Sequence, residues 1–280
     1  MAKTRSAAPA RPSAAAATST AAATARISFR SRKIVKTPPA KPLAAATLPP
    51  PAPPAPVLPA LSAPGELAVA LRHLAAADPL LSEVIASTDA PAFTSTPSLP
   101  AFHSLARSIL YQQLATSAAA AIYARFLALL PSAAVSPAAV LALAAADLRA
   151  IGVSGRKAAY LHDLAARFAA GELSESSVAA MGEDALLAQL TRVKGIGEWT
   201  VHMFMIFSLH RPDVLPSGDL GVRKGVQELY KLKALPKPEE MAALCERWRP
   251  YRSVGAWYMW RLLESNGAAA KKAKKGNASS

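Results

Sequence analysis

The chain has 280 residues, a formal net charge of +14 at pH 7 and a single cysteine, Cys245. One cysteine excludes disulfides within the chain and any zinc or iron–sulfur site built from several cysteines. No apolar run is long enough to span a bilayer, so no membrane association is expected.

The first 64 residues differ in composition from the rest. They are rich in Ala, Pro, Ser and Thr, and they carry nine Lys/Arg but no Asp or Glu. Such a segment buries too little apolar surface to offset the entropy of ordering it, which predicts a disordered basic arm over residues 1–64. Four lysines mark a second basic segment, predicted to be a disordered tail over residues 266–280. Most of the net charge therefore lies at the ends, where it would add salt-sensitive affinity for nucleic acid.

Between residues 65 and 265, apolar residues recur at helical spacing and no convincing alternating strand appears. This pattern predicts one all-α domain of roughly ten helices in two lobes, long enough to bury a sizeable core. The predicted helices are 66–77, 79–85, 102–110, 117–130, 137–145, 147–151, 154–170, 183–190, 198–209, 239–247 and 252–264, with a further helix starting near Asp219.

The run V-K-G-I-G-E-W-T, from Val193 to Thr200, separates two of these helices with a pair of glycines. Two glycines one residue apart allow a tight turn and the close approach of another backbone. The free N–H groups at the start of the second helix favour an anion such as a DNA phosphate. An ordinary turn between two helices explains the glycines equally well.

A second motif, L-P-S-G-D-L-G-V from Leu215 to Val222, follows shortly after that helix. Pro216 and Gly218 favour a sharp turn, and Asp219 stands where an Asp ordinarily caps the next helix. In order and spacing, the two motifs together resemble the helix-hairpin-helix DNA glycosylases with their Gly/Pro-rich loop and following Asp. The likeness is greatest to the alkylated-purine branch, the DNA-3-methyladenine glycosylase II family, and it extends over residues 65–265.

The resemblance implies a monofunctional enzyme of base excision repair, a monomer that binds double-stranded DNA containing alkylated bases. It would hydrolyse the N-glycosidic bond of purines such as 3-methyladenine and 7-methylguanine and leave an abasic site. An alkylated purine is cationic and leaves readily, and Asp219 would stabilise the developing positive charge on the sugar and assist water. Lyase-capable relatives carry a Lys directly after the hairpin, whereas this chain has Trp199, which cannot form a Schiff base.

The same resemblance implies further roles by position. The residues that would contact the flipped base are Trp199, Trp260, Met203 and Gln112. The two tryptophans offer aromatic faces, which a cationic ring favours. Trp257 is a third aromatic candidate for this contact, but a core position is the favoured interpretation for both Trp257 and Trp248. The gap that the base leaves would be filled by Gln113, with Leu114 beside it. The implied DNA contacts are Gln113, Leu114, Lys194, Gly195, Gly197, Ser217 and Arg223.

Relatives also bind a monovalent cation through hairpin carbonyls. By position, these are the carbonyls of Thr191, Val193 and Ile196, which would hold Na⁺ or K⁺. No other cofactor is expected, and a four-Cys iron–sulfur cluster is excluded by the cysteine count. The five histidines show no metal-binding spacing.

Two other functions and two other compartments fit parts of the pattern. A non-catalytic DNA-binding module would use the hairpin alone, and an oxidised-base glycosylase/lyase would need a nucleophilic Lys after it.

A repair enzyme acting on chromosomes is expected in the nucleus, and the basic patch at Arg30–Lys33 is typical of a nuclear signal. The acid-free N-terminus is also typical of a transit peptide for a plastid or a mitochondrion.

Overall fold

The computed structural model describes residues 58–93 and 99–277, with side chains to residue 267. Within these ranges the chain forms α-helices and two short 3₁₀ helices, Pro131–Ala133 and Glu246–Trp248, and no strand, which confirms the all-α prediction. The helices are α1 Glu66–Ala77, α2 Pro79–Ser87, α3 Ala101–Tyr111, α4 Thr116–Leu129, α5 Pro137–Leu141, α6 Ala145–Ala150, α7 Gly155–Ala169, α8 Glu175–Ala180, α9 Glu183–Leu190, α10 Glu198–Phe207, α11 Leu220–Leu229, α12 Pro238–Leu244 and α13 Arg252–Asn277. None of them combines the length and apolarity that a membrane span requires.

Short polar side chains start several of these helices where the sequence places them. Ser154 precedes α7 and accepts the N–H of Lys157, and Asp78 precedes α2 and accepts the N–H groups of Leu80 and Leu81. Such caps satisfy backbone donors that have no partner inside the helix. The starts of α2 and α7 are therefore encoded locally, and they agree with the prediction to within a residue.

The close approach of α11 to α13 positions the functional site. A Cβ at Gly225 would lie 2.5 Å from the Cβ of Met259, so only glycine lets the two helices meet here. Val222 and Val226 are fully buried on the same face of α11. This packing fixes the start of α11, where Asp219 lies, against the middle of α13, where Trp260 lies.

A buried carboxylate joins three elements behind the site. Asp78 accepts hydrogen bonds from the Tyr230 hydroxyl at the end of α11 and from Nε1 of Trp248, the latter at 2.8 Å. Burial acts to raise the pKa of Asp78, but these two hydrogen bonds, the N–H of Leu81 and the charge of Arg247 together outweigh it and hold the pKa below its ordinary value. Trp248 is fully buried, as expected for a core residue.

Both predicted ends of the domain need correction. Residues 1–57 of the expected arm lie outside the described residues, but Leu61 is fully buried and its N–H donates to the carbonyl of His210 at 2.8 Å. The domain therefore begins before residue 65, because Leu61 belongs to its hydrophobic core. At the other end, α13 continues beyond Glu264 to Asn277, into the expected tail. Ala and Lys are strong helix formers, and extension of a formed helix needs no new nucleation.

One helix was not predicted at all. The short helix α8 starts at a capping box in which Ser174 and Ser177 exchange hydrogen bonds. Six residues are too few for hydrophobic periodicity to be read from the sequence.

Candidate functional site

Asp219 is the centre of the site, and both of its carboxylate oxygens are engaged. Oδ1 accepts the N–H of Val222 at 2.8 Å, which is the capping bond expected at the start of α11. The same oxygen accepts Nε1 of Trp260 at 2.9 Å, and Oδ2 accepts Nε1 of Trp199 at 2.6 Å. Hydrogen bonds to a charged acceptor are short and strong. Two indoles from different helices therefore fix the direction in which the carboxylate points.

A cavity of about 320 Å³ opens beside this carboxylate. Its walls come from α10, the start of α11 and α13. It is lined by Trp199, Met203, Phe207, Asp219, Trp257, Trp260, Arg261 and Glu264. Trp199 is 54% exposed and Phe207 is 46% exposed, although both are large apolar side chains. Exposed aromatic faces around one carboxylate suit a flat ring, and a cationic ring above all.

Gly221 makes the approach of Trp260 to Asp219 possible. A Cβ at this position would lie 2.8 Å from Cδ1 of Trp260 and 3.0 Å from Oδ1 of Asp219. Any larger residue would push the indole or the carboxylate out of place. Gly221, two residues after Asp219, is therefore part of the site although it has no side chain.

The hairpin between α9 and α10 has the tight turn that its glycines predict. Val193 and Ile196 are buried and anchor it, and Gly195 has a φ of 80°, in the left-handed region that favours glycine. Gly197 precedes α10 and offers no side-chain cap. The first N–H groups of α10 therefore remain available to an anion, and the helix dipole favours one there.

A second loop lies against the hairpin. The residues that follow α3 form what we call the Gln loop, residues 112–115. Gln113 is exposed with a φ of 56°, and Leu114 is 40% exposed. Nε2 of Gln112 donates to the carbonyl of Gly195 at 2.8 Å.

This bond gives Gln112 a structural role, and its expected contact with the base stays a prediction. Its side chain joins the Gln loop to the hairpin and is not part of the lining of the aromatic cavity. For Trp257 a core position was favoured over contact with the base, and this preference needs correction. Its side chain lines the cavity and has the guanidinium of Arg261 over its ring, 4.9 Å from the centroid.

The remaining DNA-contact candidates stay predictions, but their surroundings differ. Lys194 is exposed, and its backbone N–H donates to Oδ2 of Asp163. Ser217 is half-buried in the loop before Asp219. Arg223 is half-buried, and its Nε donates to the carbonyl of Pro236 at 2.8 Å, so part of its guanidinium already has a partner.

Some cavity residues were missed in the sequence. Phe207 lies one helical turn after Met203 and two turns after Trp199, so the i, i+4, i+8 spacing on α10 could have revealed it. Arg261 and Glu264 follow Trp260 on α13 and form an ion pair with each other. Within the part of the chain that the structure describes, no three His, Cys, Asp or Glu side chains come together as metal ligands.

Comparison with known proteins places this geometry in a family. Residues 106–250 match the model of the HhH-GPD superfamily base excision DNA repair proteins. DNA-3-methyladenine glycosylase 1 of Schizosaccharomyces pombe is 33% identical over 162 residues, which are 57% of this chain and 71% of that protein.

Two solved structures are also similar. The S. pombe 3-methyladenine DNA glycosylase in complex with abasic DNA is 30% identical, with a TM-score of 0.61 over 69% of this chain and 95% of that one. The DNA-3-methyladenine glycosidase of Bacillus halodurans is 31% identical, with a TM-score of 0.61 over 72% of this chain and 90% of that one.

Proposed function

The chain belongs to the HhH-GPD superfamily of base excision DNA repair proteins, and on that premise we propose that it is a monofunctional DNA glycosylase that removes alkylated purines. The observation that carries the proposal is the Asp219 carboxylate held by Trp199 and Trp260 at the wall of an aromatic cavity. A catalytic carboxylate and a stacking surface for a cationic base thus share one pocket. The proposed substrates are 3-methyladenine and 7-methylguanine in double-stranded DNA.

The proposed reaction is a hydrolysis. The damaged nucleotide leaves the duplex and its base enters the cavity, where the faces of Trp199 and Trp260 favour a ring with positive charge. As the bond between base and sugar breaks, positive charge develops on the sugar, and the adjacent Asp219 carboxylate stabilises it. Water then adds to the sugar, and Asp219 takes up its proton.

The absence of strand cleavage is part of the proposal. A lyase needs an amine that attacks the sugar, and the residue after the hairpin is Trp199, with its indole N–H bonded to Asp219. Lys194, on the other side of the turn, is exposed and is not among the residues that line the cavity. Both observations support simple hydrolysis.

The hairpin cation is a separate proposal. α9 ends at Leu190 with Thr191 as its C-cap, and the last carbonyls of a helix carry partial negative charge without an intrahelical partner. The carbonyl of Val193 accepts the N–H of Ile196 at 3.1 Å and keeps a second lone pair. We propose that the carbonyls of Thr191, Val193 and Ile196 hold Na⁺ or K⁺ beside a DNA phosphate. DNA affinity should then fall when N-methylglucamine replaces these ions at equal ionic strength, and an unchanged affinity would contradict the proposal.

A release assay tests the enzymatic function. Methylated duplex DNA is incubated with the protein, free bases are separated and identified, and strand cleavage is scored without alkali. The proposal predicts free 3-methyladenine and 7-methylguanine and an intact abasic strand. DNA binding without base release would indicate a non-catalytic module. A cleaved strand together with a borohydride-trapped adduct would indicate a lyase.

A further inference from the structure

Three side chains on one face of α7 contact the Gln loop and the hairpin. Lys157, Tyr160 and Asp163 are spaced three residues apart, so they follow one another along the helix. Lys157 contacts the Gln loop, while Tyr160 and Asp163 contact the hairpin. None of them is part of the lining of the aromatic cavity beside Asp219.

Lys157 holds the end of α3. Its Nζ donates to the carbonyls of Leu110 and Gln112, both at 2.7 Å. These carbonyls lie where a helix ends and its backbone acceptors lose their intrahelical partners, and a cation there is favourable. The next residue, Gln113, has a left-handed φ of 56°, which is uncommon for a residue with a side chain. The ammonium group therefore stabilises the turn that directs Gln113 outward.

The hairpin rests on the same helix. A Cβ at Gly195 would lie 2.1 Å from Cδ2 of Tyr160, so the turn is in direct contact with the tyrosine ring. Oδ2 of Asp163 accepts the N–H of Lys194 at 2.9 Å. Nε2 of Gln112 then joins the two loops by its bond to the carbonyl of Gly195.

We infer that α7 sets the spacing between the hairpin and the Gln loop, and that Lys157 is the positioning residue through which Gln113 fills the gap left by a flipped base. The inference rests on one part of the proposed function, the exit of a base from the duplex, and not on the hydrolysis that follows. Lys157 donates to the carbonyls of Leu110 and Gln112, so we assign it a positioning role and not a catalytic one. It acts through the backbone of the Gln loop.

The three side chains of α7 therefore support two different loops. Tyr160 and Asp163 support the hairpin, which would bind the DNA strand. Lys157 supports the Gln loop, which would fill the gap left by the base. Loss of the Lys157 ammonium should leave the hairpin in place. Binding to DNA should therefore survive, while the step that depends on Gln113 should fail.

The test uses the full chain and a duplex with 2-aminopurine beside an abasic-site analogue. Insertion of Gln113 changes the stacking of 2-aminopurine and so its fluorescence. The variants are Lys157→Met, Lys157→Arg and Gln113→Ala, with the double variant Lys157→Met/Gln113→Ala. Arg149→Met is the matched control, because Arg149 is exposed on α6, its removal lowers the charge equally, and no contact between it and the Gln loop is described. Excision of 7-methylguanine from duplex DNA is measured in parallel.

We expect Lys157→Met to lose the fluorescence change while it still binds the duplex, and to slow excision about tenfold, as the loss of charge-assisted hydrogen bonds would. In the Gln113→Ala background, Lys157→Met should slow excision by less than about twofold. The effects of two residues that act through one another do not add. Lys157→Arg should recover most of the signal, since a guanidinium can also donate to two carbonyls. Thermal unfolding of each variant separates this effect from a loss of fold.

Three results would overturn the inference: a Lys157→Met variant that behaves like Arg149→Met, losses that add fully to those of Gln113→Ala, or a native protein that leaves the fluorescence unchanged. A native protein that changes the fluorescence but releases no base would refute the proposed enzymatic function and leave the inference standing. The two failures are therefore distinguishable.

Discussion

The indole of Trp199 donates to Oδ2 of Asp219 at 2.6 Å, while its ring stays 54% exposed at the cavity. One side chain therefore offers two separable contributions. The N–H orients the carboxylate, and the ring face offers a surface for the base. A substitution that removes only the N–H distinguishes them.

Trp199→Phe keeps an aromatic face and removes the hydrogen bond to Asp219. A hydrogen bond to a charged group contributes about 1.5–3 kcal/mol, so we expect kcat to fall by about tenfold or more with little change in KM. Trp199→Ala should raise KM as well, because the stacking surface is lost. Steady-state excision of 7-methylguanine measures both. A Phe variant with native kcat would show that the indole N–H plays no part.

Gly221→Ala tests the approach of Trp260 to Asp219. The new Cβ would lie 2.8 Å from Cδ1 of Trp260, so the indole must shift. Because a misplaced catalytic group is costly, we expect excision to fall by about tenfold or more. Stability should change by less than about 1 kcal/mol, since Ala also improves the helix propensity of α11. The control is Gly218→Ala, where a Cβ would meet nothing within 4 Å. Equal activity of the two variants would contradict the prediction.

Gly195→Ala tests the hairpin. The left-handed φ of 80° costs an L-residue about 1–2 kcal/mol, and the new Cβ would also collide with the ring of Tyr160. We expect a clear loss of stability in urea unfolding and weaker binding to abasic duplex. Gly197→Ala is the comparison, because a Cβ there would meet nothing within 4 Å and only the start of α10 is affected. If the two variants lost the same stability, the contact with Tyr160 would not matter.

The buried histidine on α10 predicts a pH dependence of stability. Burial lowers the pKa of His202, although the nearby Glu198 carboxylate acts to raise it. The unfolded chain therefore binds a proton to this ring at higher pH, near the ordinary value of about 6.5, than the folded chain does. The contribution of His202 to the free energy of unfolding should be fully present above that pH, and it should be lost as the pH falls below it.

Urea unfolding at a series of pH values from about 7.5 to about 5 measures this slope. His202→Gln should reduce the slope. Some slope should remain, because burial also lowers the pKa of His103 and His210. An unchanged slope in the variant would mean that folding does not lower the pKa of His202.

Much of the helical framework was predictable because its signals are local. Caps such as Asp78, Ser154 and Asp219 lie next to the helices that they start, and each can be read from the sequence without knowledge of the fold. The resemblance to a known family supplied what local signals lack. It paired Asp219 with Trp260, which lies 41 residues further along the chain and donates to its Oδ1.

What the sequence could not show depends on tertiary contacts. Nothing near Lys157 indicates that its ammonium group meets carbonyls 45 and 47 residues earlier. Residue type also failed to separate a core indole from one that lines a cavity. Trp248 is fully buried as expected, whereas Trp257 lines the cavity. The Pro/Ala-rich composition of residues 1–64 likewise gave no sign that Leu61 would be fully buried.

The most direct measurement is base release from methylated duplex DNA by the Asp219→Asn variant under single-turnover conditions. Asn can still cap α11 and fill the same space, but it carries no negative charge to oppose the charge on the sugar. We predict that release of 3-methyladenine and 7-methylguanine falls by at least about a hundredfold while binding to abasic duplex is retained. A variant that releases both bases at the native rate would contradict the role of this carboxylate.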